Sequence, residues 1–506
     1  MSDHDTNSSD GHVPHEVSTG EALEAALEGV HGAISLGPSS MPALGGELLL
    51  PEGGADDHDD IAPDTVRQGI LQAGPLAIAG VATNALNVIV TILVARLLST
   101  RDYGLLNQLN ALFLIISMPG SAIIVAVVRR VTGWAGRGDA HRVRGWARRI
   151  HTEGTIAVIV FAGVVALFGG AIASLLNQPN AIGVIAILTA AAVWVLLSFD
   201  RGLLQAHRGY RSLAINLIVE GVARTVGILA FAFMGLGASG LAIGILFGEV
   251  VTAIHARFAA DAAWESEEGA ADTVRAVSPG LVSWLGQWIK RMAPDPALKA
   301  PRAERRHLLV DLFVALCALA MLALLQNVDI LIVGRDNPHL SGSYAAVSVA
   351  SKAIVYGAVV LGSYLLPEAA IRWREGGHAL RQFFVAMLLL AVPATGLVIV
   401  AVLFPDLLLS MVFSKRYLGA ENAFAPLGIA MIFLSVTVIL TMYLLAVGRR
   451  WIAPLLVLGA VAATIAVAAA HGNPVATARN DLLVQGLLAF VTLVGFIKIH
   501  HRRLSS

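Results

Sequence analysis

The sequence predicts an all-α polytopic membrane protein, with about twelve transmembrane helices in two pseudo-repeated six-helix lobes, on three observations. First, 56% of the 506 residues are hydrophobic and the mean hydropathy is +0.73, well above soluble domains with an apolar share of roughly 45–50%. Second, nearly uncharged apolar runs of roughly 18 residues or more recur between positions 70 and 498. Such runs are too long for barrel strands, and in hydrocarbon a helix satisfies its own backbone. Third, the chain echoes itself. Asn87-Val88, an apolar run, Arg96 and Tyr103-Gly104 are matched by Asn327-Val328, an apolar run, Arg335 and Gly342-Ser343-Tyr344, about 240 residues on. Leu203 to Arg208 and Leu444 to Arg449 repeat the offset.

In chain order, residues 1–66 hold 14 of the 35 acids and no Lys or Arg. They read as a disordered acidic cytoplasmic tail, with room for one short helix over Thr19 to His31, because so polar a segment buries too little apolar area to offset its ordering entropy. It lacks the basic and then apolar pattern of an ordinary signal peptide. Spans are expected near 70–98, 105–128, 154–176, 181–199, 212–235 and 238–257, and again near 308–333, 343–369, 383–404, 424–446, 451–470 and 480–498. This gives an N-terminal lobe over 67–258, a cytoplasmic linker over 259–306, a C-terminal lobe over 307–498 and a short tail over 499–506. In the linker Val282, Trp284, Leu285, Trp288 and Met292 keep helical spacing beside Lys290 and Arg291. That pattern predicts an interfacial helix on the inner leaflet.

Orientation follows from the basic residues. Alternate loops carry Arg129, Arg130, Arg137, Arg142, Arg144, Arg148 and Arg149, then Arg201, Arg208 and Arg211, whereas 177–180 and 235–240 are bare of charge. The basic side is cytoplasmic, so both termini are expected inside the cell and the protein in the inner (plasma) membrane. The loop from Arg129 to Arg149, with Trp134 and Trp146, is expected to meet anionic membrane lipids. The lone Cys317 excludes an intramolecular disulfide. Asp56-Asp57-His58-Asp59-Asp60 reads as a solvated acidic run. No metal, cofactor or nucleic-acid partner is expected.

Charges at lipid depth cost roughly 2.5–3.5 kcal/mol each on insertion scales, so those retained should face a cavity, another helix or each other. Asn84, Asn87 and Thr91 share a face of the first span, as do Asn107, Asn110, Ser117 and Ser121 in the second. Interhelical hydrogen bonding explains them as readily as a polar pathway does. In the eighth span Tyr344, Ser348, Lys352 and Tyr356 form a stripe at i, i+4, i+8 and i+12. Two readings stay open for Lys352: ligand of an anion, or structural partner of a carboxylate. Glu220 and Arg224, at i and i+4, read first as a self-neutralising pair. Glu249 and Asp329 remain as candidates for a coupling carboxylate, although Asp329, near the outer end of its helix, is better read as exposed and structural. The last four spans are expected to be apolar inside and to serve lobe packing.

The run Ala95-Arg96-Leu97-Leu98-Ser99-Thr100-Arg101-Asp102-Tyr103-Gly104 resembles the signature of prokaryotic polysaccharide (Wzx-like) flippases, within the multidrug/oligosaccharidyl-lipid/polysaccharide exporter superfamily. The likeness continues through Gly202 to Arg208, Asn327-Val328-Asp329 and Tyr344-Ala345-Ala346, covering roughly residues 66–500. It implies a V-shaped pair of lobes and a central cavity lined by the first two helices of each. Alternating access would move a polyprenyl-pyrophosphate-linked glycan outward, with a polysaccharide polymerase or glycosyltransferases as partners. On it, Lys352, Tyr344, Ser348, Asn84, Asn87, Asn107, Asn110 and Asn327 become candidate substrate-binding residues. Glu220, Arg224, Glu249 and Asp329 become candidates for ion coupling or a structural ion pair, and no catalytic residue is expected. Two alternatives remain: a multidrug exporter of the same superfamily, disfavoured by the positive balance of fixed charge, and a membrane enzyme of glycan assembly. The enzyme needs acids, Arg or His gathered on an external loop, and here such residues are scattered.

Overall fold

The computed structural model describes residues 63–118, 120–135, 141–265, 302–374 and 380–504, and all regular structure among them is helical. The first half comprises α1 (Pro63–Leu97), α2 (Thr100–Ser117), α3 (Gly120–Ala135), α4 (His141–Leu175), α5 (Ala181–Ala206), α6 (Tyr210–Phe233) and α7 (Gly237–Glu265). The second comprises α8 (Arg302–Asp336), α9 (Ser341–Arg374), α10 (Leu380–Leu403), the short α11 (Pro405–Val412), α12 (Phe424–Ala446), α13 (Ile452–Ala468) and α14 (Pro474–Leu504). Ten helical segments among the described residues are long and apolar enough to cross a membrane. The shorter α13 and the 34-residue α9 complete the set. The chain is an all-α polytopic membrane protein. The expected tail helix and the linker helix over Val282 to Met292 lie outside the described residues.

Local chemistry sets the helix starts. The Ser99 hydroxyl accepts from Asp102 N at 3.1 Å and donates to the Asp102 carboxylate at 2.7 Å, which opens α2. Asn180 Oδ1 accepts from Ile182 N at 3.2 Å and opens α5. Two expected boundaries shift. The second span, expected over 105–128, extends over Thr100–Trp134, with α2 ending at Ser117 and α3 beginning at Gly120. The helix expected to end near 257 runs on to Glu265. Arg257 pairs with Asp261 at 2.8 Å, and Ala260 packs into a cluster with Trp134, Val143 and Phe199.

Within the first half α7 packs most closely, on α6 and on α5. A Cβ on Gly227 would stand 2.5 Å from Gly244 O, and one on Gly244 would stand 2.7 Å from Gly227 O. Backbone therefore meets backbone there, the close approach that small residues allow between membrane helices. In the second half α12 is the hub, packed on α9, α14 and α10. The outward faces of α4 and α10 are bare apolar surface, with Leu167 at 82% and Leu388 at 68% exposure, as lipid contact demands.

The halves meet chiefly where α2 crosses α8 and α9. At the end holding Leu97, Asp336 and Pro474 they are closed on each other. A Cβ on Gly104 would lie 2.7 Å from Gly342 N, and one on Gly342 would collide with Thr100 O. Tyr417 OH donates to Ala95 O at 2.7 Å, and Arg416 donates to Ala95 O at 2.5 Å and to Arg96 O at 2.8 Å. Gln108 Nε2 donates to Leu331 O at 3.0 Å, and Asn177 Nδ2 to Arg335 O at 3.2 Å. Toward the other end a small cluster of Ala122, Leu319 and Met442 joins them.

Candidate functional site

Between the closed end and that small cluster lies a polar cleft holding about 390 Å³ of empty space, its open mouth included. Thr91 of α1 and Asn107 and Asn110 of α2 line one side, and Asn327 of α8 with Ser348 and Lys352 of α9 line the other. Asn107 Nδ2 donates to Tyr103 O at 2.8 Å and Asn327 Nδ2 to Ala323 O at 2.9 Å, each four residues back on its own helix. That contact holds the two amides in place from opposite halves. Asn84 Oδ1, Asn87 Nδ2 and Asn110 Oδ1 are buried without a hydrogen-bond partner. Of these three asparagines Asn110 lines the cleft, whereas Asn84 and Asn87 lie outside its lining.

Lys352 is buried at the cleft wall, and its Nζ stands 3.1 Å from Asp329 Oδ1. Tyr344 OH at 3.0 Å and Ser348 Oγ at 3.1 Å both donate to Asp329 Oδ2. Successive turns of α9 thus converge on one carboxylate of α8. This corrects the expectation that Asp329 is exposed: it is 1% exposed. Its position near the helix end was a poor guide to depth, because the start of α9 and helix α2 pack against that end. Of the two readings for Lys352, the partner role has a named carboxylate. The ammonium still borders the cleft, so a pair at its wall is compatible with anion recognition.

A second charged cluster sits inside the first half, away from the cleft lining. Arg201 Nη2 donates to Glu220 Oε2 at 2.5 Å, and Arg224 Nη2 to Glu220 Oε1 at 2.8 Å and also to Glu249. Asn216 extends it, accepting from Arg201 Nε at 2.8 Å and donating to Thr252 O at 3.0 Å. Two arginines thus face two glutamates across α5, α6 and α7, all almost fully buried. The self-neutralising pair is therefore half of a four-group clamp. Arg201, counted above among loop charges, is 4% exposed inside the bundle. Helix α5 runs on to Ala206 and carries it inward.

Sequence reasoning missed two acids. Asp481 and Gln485 are fully buried in α14, a span expected to be apolar inside. Gln485 Nε2 donates to Asp481 Oδ1 at 3.1 Å and to Leu325 O at 3.2 Å. The signal was present, since Thr477, Asp481 and Gln485 fall at i, i+4 and i+8. Asp200, also fully buried, faces His151 Nε2 at 3.3 Å and Arg257 Nη1 at 3.6 Å. At the offset of the internal echo Asp329 and Lys352 correspond to Ile89 and Ala111, so the charged pair belongs to the second half alone.

No family model matches the chain, and no curated protein matches it by sequence. Solved structures do match it. An inward-facing multidrug resistance MATE family transporter of the MOP superfamily aligns over 84% of this chain and 95% of its own, with TM-score 0.56 and 13% identity. A MOP superfamily transporter from Pyrococcus furiosus aligns over 87% and 96%, with TM-score 0.55 and 12% identity. The lipid II flippase MurJ in an inward closed conformation aligns over 85% and 87%, with TM-score 0.58 and 11% identity. The chain has the fold of MOP superfamily transporters.

Proposed function

We propose that this protein is a membrane transporter that moves a polyprenyl-pyrophosphate-linked oligosaccharide or polysaccharide precursor from the cytoplasmic to the outer leaflet by alternating access. The observation that carries the reading is Lys352, a cation at the wall of an amide-lined cleft between two helical halves. A pyrophosphate asks for such a cation, and the asparagines suit sugar hydroxyls. The fold it shares with a lipid II flippase supports the substrate class. With the basic loops inside, both termini are cytoplasmic, the closed end faces outward and the membrane is the inner (plasma) membrane. Anionic lipids meet the basic side, and glycan-assembling polymerase or glycosyltransferases are the expected partners.

A second reading, multidrug export, draws on the likeness to MATE structures. A cationic drug requires an acid at the cleft, whereas none is among the lining residues and Asp329 behind the wall is occupied by Lys352, Tyr344 and Ser348. One experiment separates the two. Lys352→Gln keeps hydrogen bonding and removes the charge. If the reading is right, lipid-linked glycan stays in the inner leaflet at unchanged protein level. Glycan export at the wild-type rate, or loss of drug resistance alone, refutes it. Reporter fusions at Asn180 and Gly419 should read outside and one after Ser506 inside; the reverse pattern refutes the orientation.

A further inference from the structure

Part of the closed end is a strap of the second half, residues 404–423 between α10 and α12, and it grips the first half on both sides of Ser414. Before Ser414, Met411 O accepts from Arg96 Nη2 at 3.4 Å, and the Phe413 ring packs against Tyr103 of α2 with centroids 6.2 Å apart. After it, Arg416 and Tyr417 donate to the last carbonyls of α1, and the Tyr417 ring meets the same Tyr103 edge-on at 5.2 Å. Phe413 and Tyr417 are both buried. Ser414 itself holds φ 112° and ψ 152°. Among the described residues three other non-glycines have positive φ, Asn177, Arg208 and His471, and theirs lie between 48° and 56°. Those are close to the left-handed helical value of about +57°, which a side chain tolerates. Ser414 lies far outside that well, in a region that is essentially reserved for glycine.

A strained residue persists only where its surroundings over-determine it. Here the two anchors do so: with Phe413 held on Tyr103 and Tyr417 held on Ala95 O, the backbone between them must span fixed points. We propose that Ser414 is the spring of a gate at the closed end. The anchors hold its backbone strained, and separation of the halves there lets it relax, which offsets part of the cost of breaking the Arg416 and Tyr417 contacts. That separation is the outward step of the alternating access proposed above, on which the direction of movement rests. The strain itself does not depend on the substrate. A glycine at this position removes the penalty in the closed form and so favours closure; its extra freedom in the open form works the other way and is the smaller effect.

The test is the rate at which a water-soluble maleimide reaches the closed end of the full-length protein, read at Ala95→Cys on a Cys317→Ala background. If Ala95→Cys does not accumulate, the buried Leu98 of the same end serves as Leu98→Cys. Ser414→Gly should slow labelling about ten-fold, the size of effect one such residue carries. Ser414→Ala keeps the Cβ and should match the parent, and Lys415→Gly, where φ is not positive, should not slow it. An unchanged or faster rate in Ser414→Gly overturns the proposal. So does equal slowing in Ser414→Ala, which would assign the effect to the hydroxyl. The melting temperature in detergent is the second readout: Ser414→Gly should melt above the parent, and a lower value overturns the proposal. No substrate enters either measurement. Failure here therefore leaves the glycan reading standing, and glycan export at the wild-type rate in Lys352→Gln leaves the gate standing.

Discussion

Arg224 donates to Glu220 and Glu249 at once from the interior of the first half, while Arg201 holds the far oxygen of Glu220. Removing one member of a buried ion cluster strands its partner, at a cost of about 3–5 kcal/mol. Arg224→Met should therefore lower the melting temperature in detergent sharply, and adding Glu249→Gln should restore part of the loss. Equal melting temperatures for the single variant and wild type would mean the cluster is energetically idle. The same arithmetic applies to Asp329→Asn, which leaves Lys352 without its carboxylate; the double variant with Lys352→Gln should recover stability. Sequence made only part of this legible. The Tyr344, Ser348 and Lys352 stripe and the Glu220, Arg224 pair each lie on one helix, where spacing alone puts them on one face. Asp329 is 23 residues from Lys352 and Arg201 is 19 from Glu220. Partners on different helices are joined by packing, which no local period encodes.

Helices α6 and α7 approach through Gly227 and Gly244, and their elements tolerate no side chain there. Gly244→Val should push the pair apart and cost about 1–3 kcal/mol, as overpacking does, seen as a lower melting temperature or reduced accumulation. Gly170→Ala on the lipid-facing side of α4 is the control: nothing stands within 4 Å of its Cβ, so stability should not fall. A destabilised control with a tolerated Gly244→Val would reverse the assignment of which glycines are packed. The existence and order of the long helices were plain in the apolar runs. Their ends were less so, because α7 gains its extra turns from Arg257, Asp261 and the Trp134 cluster, contacts that depend on neighbouring helices.

Across the whole molecule, residues from one half cap a helix of the other: Arg416 and Tyr417 hold the last carbonyls of α1 more than 300 positions away. On a Cys317→Ala background, a cysteine at the buried Ala95 should react slowly with a water-soluble maleimide. Arg416→Ala with Tyr417→Phe removes contacts worth about 0.5–3 kcal/mol each, so labelling should rise roughly ten-fold or more. An unchanged rate would show that the aromatic packing of Tyr103, Phe413 and Tyr417 closes this end by itself. The two-half plan was readable from the internal echo, but which end closes was not, since the echo says nothing about how the halves meet. The meeting of Gly104 with Gly342 has a mechanical consequence. Interlocked side chains resist sliding, whereas smooth backbone surfaces slide and twist with little change in contact area. The joint is thus stiff against being pulled apart and compliant in torsion, a fulcrum at one end of a lever. A rotation about it would displace Leu319 and Met442, at the far rim, more than Thr100.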